Sequence, residues 1–142
     1  MFETVKNLNK NLAFIIRNNF RDEDIKFFTP DDFSQQLGYM NRPKGYTISP
    51  HVHNAVSREV QLTQEVLFIK SGKLRVDFYD DQKKYVESRI LFAGDVILLA
   101  FGGHGFEILE SAEIIEVKQG PYTGDNDKVR FEAIAKNKIK IK

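Results

Sequence analysis

The sequence predicts an all-β domain, a sandwich or barrel preceded by one amphipathic helix, and three features carry that reading. From Gln35 onward, short runs of Val, Ile, Phe and Tyr are separated by turn chemistry such as Arg42-Pro43-Lys44-Gly45, Asp80-Asp81-Gln82-Lys83 and Ala93-Gly94-Asp95, the texture of many short strands. Leu74, Val76 and Phe78 alternate with Arg75, Asp77 and Tyr79, so this strand has one buried and one wetter face. Ile97, Leu98 and Leu99 are apolar on both faces, as in a strand covered on both sides.

Before the strands, Phe2, Val5, Leu8, Leu12, Ile15 and Ile16 recur at spacings of three and four, which predicts a helix over residues 2–18 with one apolar stripe. Asn18, Asn19 and the acidic Asp22, Glu23 and Asp24 break the pattern, and Thr29-Pro30-Asp31-Asp32 is turn chemistry. Residues 1–34 are therefore read as a helix and linker packed on a barrel, residues 35–122 as the barrel, and residues 123–142 as a short C-terminal tail. Within the tail, Phe131, Ile134 and Ala135 stand at helical spacing before an alternating Lys-Ile run. A solvated end with Ile139 and Ile141 tucked against the body is the expectation.

At 142 residues the chain has the size of one domain. Twenty-one Lys plus Arg balance twenty Asp plus Glu, for a formal charge of +1, so no broad field draws phosphate backbones or anionic lipid and neither nucleic acid nor membrane is an expected partner. The absence of cysteine removes disulfides, thiolate ligands and a cysteine nucleophile. The short apolar run Leu12–Ile16 is neither a signal-peptide core nor a membrane span, and a cytoplasmic location is expected.

Two of only three histidines stand one residue apart in Ser49-Pro50-His51-Val52-His53-Asn54. On a strand, residues i and i+2 project from the same face, so His51 and His53 would aim two imidazoles at one point, half of a site for a first-row divalent metal. The third, His104, follows Gly102 and Gly103, which remove side-chain bulk just before a ring that turns inward.

These residues resemble the cupin family, small jelly-roll β-barrels recognised by two short motifs. Gly45, five residues, His51-Val52-His53, then Glu65, six residues and Gly72 follow the first; Gly94 through Ala100 and Gly102 to His104 follow the second, with Ala100 in a proline place and Ile108 in an asparagine place. The resemblance implies a cupin-type jelly roll. It also implies one divalent ion, Fe, Mn, Ni or Zn, held by His51, His53, Glu65 and His104. Eleven residues separate His53 from Glu65, and Glu59, which lies nearer, is the alternative carboxylate. On family grounds a homodimer is expected.

Strand parity adds binding candidates. Glu116 and Lys118 share the face opposite Ile115 and Val117, and Phe106 shares the face of His104 as an apolar wall. Tyr46, with Gln35, Tyr39 and Arg42, precedes the first motif. The function expected from all this is a small metal-dependent enzyme, an oxygenase or isomerase, acting on a small polar ligand such as a sugar or a hydroxy or oxo acid. A metal-free sugar isomerase or epimerase using histidine as general base and a non-catalytic ligand-binding module are the alternatives, because fold does not fix function.

Overall fold

Two long runs of alternating apolar and polar residues pair with each other along their whole length. In the computed structural model, which describes residues 1–142, these are β5 (Glu65–Tyr79) and β8 (Gly103–Lys118), antiparallel from Glu65 opposite Lys118 to Tyr79 opposite Gly103. The other strands are β1 (Phe2–Asn7), β2 (Lys10–Ile16), β3 (Lys26–Phe27), β4 (Gly38–Tyr39), β6 (Tyr85–Phe92) and β7 (Val96–Leu99). There is no α-helix, only two short 3₁₀ turns at Gly124–Asp127 and Lys136–Lys138, so no helix is long and apolar enough to cross a membrane.

The long ladder bends in its middle. Its register shifts three times between Ile69 and Leu74, and Gly72 at that point has φ +80°. A Cβ there would lie 2.1 Å from the Ser111 carbonyl oxygen, so glycine alone lets the two backbones approach this closely. On its other edge β5 changes partner across the bend: Glu65–Phe68 pair with β7, and Lys73–Tyr79 pair with β6. One ladder thus serves two layers, β1-β2-β7-β5-β8 and β6-β5-β8, and the antiparallel sheet curls into a half-barrel.

The N-terminal segment is a β-hairpin and not the helix that its spacing predicts. β1 and β2 pair from Phe2 opposite Ile16 to Asn7 opposite Lys10, turning at Leu8 and Asn9 with Leu8 at φ +53° and 91% exposed. The physical reason is the unbroken run Leu12–Ile16, all of it buried. A helix would bury one stripe of that run, whereas a strand laid against β7 buries both faces. Leu12, Ala13 and Ile15 enter the core between the layers with Leu67, Ile69, Leu74, Val76, Phe78 and Leu91. Phe14 and Ile16 point outward with Leu98, and residues 20–39 fold over them through Phe20, Phe28, Phe33 and Leu37.

Ion pairs tie the first layer to the second. Glu3 on β1 accepts from Arg17 Nε at 2.6 Å and from Arg89 Nε of β6 at 3.3 Å, while Arg17 Nη1 also donates to the Ile90 carbonyl at 2.7 Å. The C-terminal segment has no helix beyond its two 3₁₀ turns and is bonded to the body. It runs as a strap whose end pairs with the free edge of β6 in a parallel bridge between Ser88 and Ile141: the Ser88 N–H donates to the Lys140 carbonyl and the Lys142 N–H to the Ser88 carbonyl, while the Ile134 N–H donates to the Tyr79 hydroxyl. Ile139 is half-buried beneath it, as expected, but Ile141 stays 58% exposed.

Candidate functional site

The bend that makes the half-barrel also brings the two ends of the long ladder together. Directly paired residues share a face, so Glu65, Leu67 and Ile69 look inward with Lys118, Glu116 and Ile114, and beyond the bend Leu74, Val76 and Phe78 look inward with Ile108, Phe106 and His104. At the mouth, His104 Nε2 lies 3.2 Å from Glu65 Oε2 and Lys118 Nζ lies 3.3 Å from Glu65 Oε1. Lys118 reaches Asp127 Oδ2 at 2.9 Å, and the other oxygen of Asp127 accepts a short hydrogen bond from the Thr63 hydroxyl.

The start of β5 is held firmly, which fixes Glu65. Buried Gln64 accepts from the Ser34 hydroxyl and the Gln35 N–H on its side chain, and its carbonyl accepts from Gln35 Nε2 and the Gln119 N–H. The electrostatics follow from the neighbours. The His104 imidazole, aided by Lys118, holds the Glu65 carboxyl below its ordinary range against the opposing effect of burial. The Thr63 hydroxyl and Lys118 hold Asp127 low, and Asp127 and Glu65 together push the Lys118 ammonium up. Two carboxylates and one ammonium therefore stay charged around His104 at neutral pH.

These groups line an open cavity of about 1480 Å³ between the mouth, residues 58–63 and the strap, with Tyr79, Phe101 and Phe131 among its aromatic walls. Glu65, His104 and Lys118 are thus brought together. Phe106 stands beside His104 with ring centroids 5.4 Å apart, but is itself 44% exposed and outside the cavity wall. Glu116 shares the inner face yet is exposed and makes no ion pair. Tyr46 is 53% exposed beneath the Arg42 guanidinium, away from the mouth. Gln35 serves Gln64, and Tyr39 packs edge-on against Phe20.

His51 and His53 are not on a strand. Residues 40–64 carry no regular structure: Pro43 and Pro50 lack the N–H a ladder needs, and Val52, Val56, Val60 and Leu62, which follow, are left exposed with no layer against them. Both histidines are exposed, with rings edge to face at 5.2 Å and His51 Nδ1 lying 3.0 Å from the Ser49 carbonyl. Glu59 is exposed and bonded to Gln61, so Glu65 is the carboxylate at His104. As arranged, the four residues do not form one ligand shell: no three His, Asp or Glu side chains converge on a point, and the Lys118 ammonium takes the second oxygen of Glu65.

Thr63 and Asp127 complete the cluster without having been singled out in the sequence. They are 64 residues apart, and no local pattern marks either. No family model matches the chain, and no curated protein or solved structure is significantly similar to it.

Proposed function

We propose that the chain binds a small polar molecule at the mouth of its half-barrel and moves a proton on it through His104, held by Glu65, as a metal-free isomerase or epimerase of a sugar or hydroxy acid. The observation that carries this is the 3.2 Å approach of His104 Nε2 to Glu65 inside the cavity. A carboxylate facing Nε2 favours a proton on that nitrogen, which leaves the lone pair of a neutral ring on Nδ1 to accept a proton from a ligand. Isomerisation needs no oxidant: the proton leaves a carbon beside a carbonyl, and the bond's electron pair passes to the carbonyl oxygen, which takes a proton to give an enediol or enol. A proton then returns to the neighbouring carbon as the hydroxyl oxygen gives its own up, or to the opposite face of the same carbon as the enol oxygen gives its own up. The cupin resemblance belongs to this proposal, supported by the antiparallel curl and by Glu65 and His104 standing inside it.

Incubating the protein with sugars and hydroxy and oxo acids in heavy water, and following carbon-bound protons by NMR, tests the reading. Exchange into a ligand is expected, and His104→Gln is expected to slow it by about 100-fold or more without a large change in melting temperature. Exchange that survives His104→Gln at the wild-type rate would sink the proposal.

A second reading retains His51, His53, Glu65 and His104 as ligands of one Fe, Mn, Ni or Zn ion. It is favoured by the close approach of the two imidazoles on the segment that runs into the cavity wall at Arg58–Thr63, and it requires residues 51–53 to move to the mouth. Protein made in metal-supplemented medium is expected to hold far less than about one ion per chain on the first reading. A stoichiometric ion that is lost in a His51→Gln, His53→Gln double variant would put the metal reading in its place.

A further inference from the structure

The cavity carries a charge pattern that the Glu65–His104 pair does not use. Among its lining residues Lys10, Arg58, Lys118, Lys128 and Arg130 are cationic, and Glu65, Asp81 and Asp127 are anionic. Every anion already has a partner: Asp81 is on Lys10, and Glu65 and Asp127 are on Lys118. Arg58, Lys128 and Arg130 make no ion pair, and Arg58 has only a long bond, 3.4 Å, to the Val56 carbonyl. Five cations against three anions leave an excess of two positive charges around one opening, in a chain whose formal charge is only +1, and apolar walls focus its field.

The fold fixes where two of these cations stand. Lys128 and Arg130 lie on the strap between two anchors, Asp127 on Thr63 and Lys118 and, just beyond, Phe131 edge-on against Tyr79 at 5.0 Å. They are therefore held at the rim and not dispersed on a loose tail. Arg58 lines the same cavity from the segment that leads to Thr63, whose hydroxyl is bonded to Asp127 at the start of the strap.

We infer that the cavity takes a small molecule bearing an oxyanion, a phosphate or a carboxylate, received by Arg58, Lys128 and Arg130. Guanidinium forks match such groups with paired hydrogen bonds, and the aromatic walls leave room for a less polar portion of the same molecule. Placing the rest of that molecule against His104 rests on the proton-transfer reading above; the anion site itself does not.

Calorimetric titration of the full chain with inorganic pyrophosphate, glucose 6-phosphate, gluconate and glucose tests the inference, and the first two against gluconate separate phosphate from carboxylate recognition. At least one anion is expected to bind about tenfold more tightly than glucose, and severalfold more weakly as salt rises from about 0.05 to 0.3 M. Arg58→Gln, Lys128→Gln and Arg130→Gln combined are expected to weaken that binding about tenfold. All three residues are exposed, so the fold should survive. Removing equal charge elsewhere, with Lys6→Gln, Lys44→Gln and Lys70→Gln, should leave the affinity as it was.

Anion binding that is unchanged in the rim variant, or glucose bound as tightly as every one of the anions, would overturn the inference. The outcomes also separate it from the proton-transfer reading. Rim-dependent anion binding with no His104-dependent exchange supports the anion site and removes that reading. His104-dependent exchange on neutral sugars with no preference for anions does the reverse.

Discussion

Alanine at position 72 is expected to destabilise the protein by about 3 kcal/mol, roughly 10 °C in melting temperature for a chain of this size. Two effects add. The residue has φ +80°, where a Cβ is strained by about 1–2 kcal/mol, and the new methyl would sit 2.1 Å from the Ser111 carbonyl oxygen and 2.6 Å from the Ala112 Cα. Both obstacles are backbone, so no side chain can swing aside to relieve them, and β8 would have to lift away from β5 at the bend. Thermal unfolding of Gly72→Ala checks this, and a melting temperature within a few degrees of wild type would show that the bend tolerates a side chain. The variant should also lose the His104–Glu65 approach, visible as a changed imidazole nitrogen resonance, although both residues stand at the far ends of the ladder from position 72.

Loss of the Asp77 carboxylate is expected to have a comparable effect through charge and not shape. Asp77 is 5% exposed on the outer face of β5. It accepts from Arg75 Nε at 2.7 Å, from Arg75 Nη2 at 2.9 Å and from the Ser88 hydroxyl at 2.5 Å. The fully buried Ser88 links onward to the Tyr85 hydroxyl, which accepts the Lys140 N–H of the strap. Asp77→Ala removes the hub of this network, and breaking a buried pair typically costs about 3–5 kcal/mol. Arg75 keeps Glu107 at 2.6 Å, which puts the expected loss at about 3 kcal/mol, the lower end of that range.

The pH dependence has a definite sign. Burial alone would raise the Asp77 carboxyl, but its bonds from Arg75 and Ser88 outweigh burial and hold it below its ordinary range. A carboxyl lowered by folding contributes stability that is fully present above the unfolded value, about 3.9, and lost as the pH falls toward the folded one. The gap in stability between wild type and Asp77→Ala should therefore be widest near neutrality and narrow below about pH 4. Urea unfolding of both proteins from pH 7 to pH 3 measures it, and a constant gap across that range would contradict the argument.

Much of the β architecture after Gln35 is legible because turn residues and period-two alternation are local signals. Parity along Leu74–Tyr79 separates the inner Leu74, Val76 and Phe78 from the outer Arg75 and Asp77, whereas along Glu113–Gln119 it groups Glu116 with Lys118 without telling which face is the inner one. The N-terminal hairpin is not legible in the same way. Apolar spacings of three and four are shared by a helix and by two short strands whose turn falls between, and only the presence of β7 decides in favour of burying both faces of Leu12–Ile16. The histidine pair misleads for a related reason, since a spacing of two aligns side chains only where a partner strand exists. Thr63 and Asp127 reach the site through the bend and the strap, which are properties of the whole chain.

That the site is assembled from the two ends of one bent ladder has a mechanical consequence. From Gly72 to the end of β5 each arm is roughly 23 Å long at the usual rise per residue, so a change of about 5° at the hinge displaces the far end by about 2 Å, enough to open or close a hydrogen bond. Residues that touch no ligand, packed around Ser71, Gly72 and Ser111, therefore have leverage over the distance between Glu65 and His104. Stiffness at the bend, as much as chemistry at the mouth, sets how accurately the two ends meet.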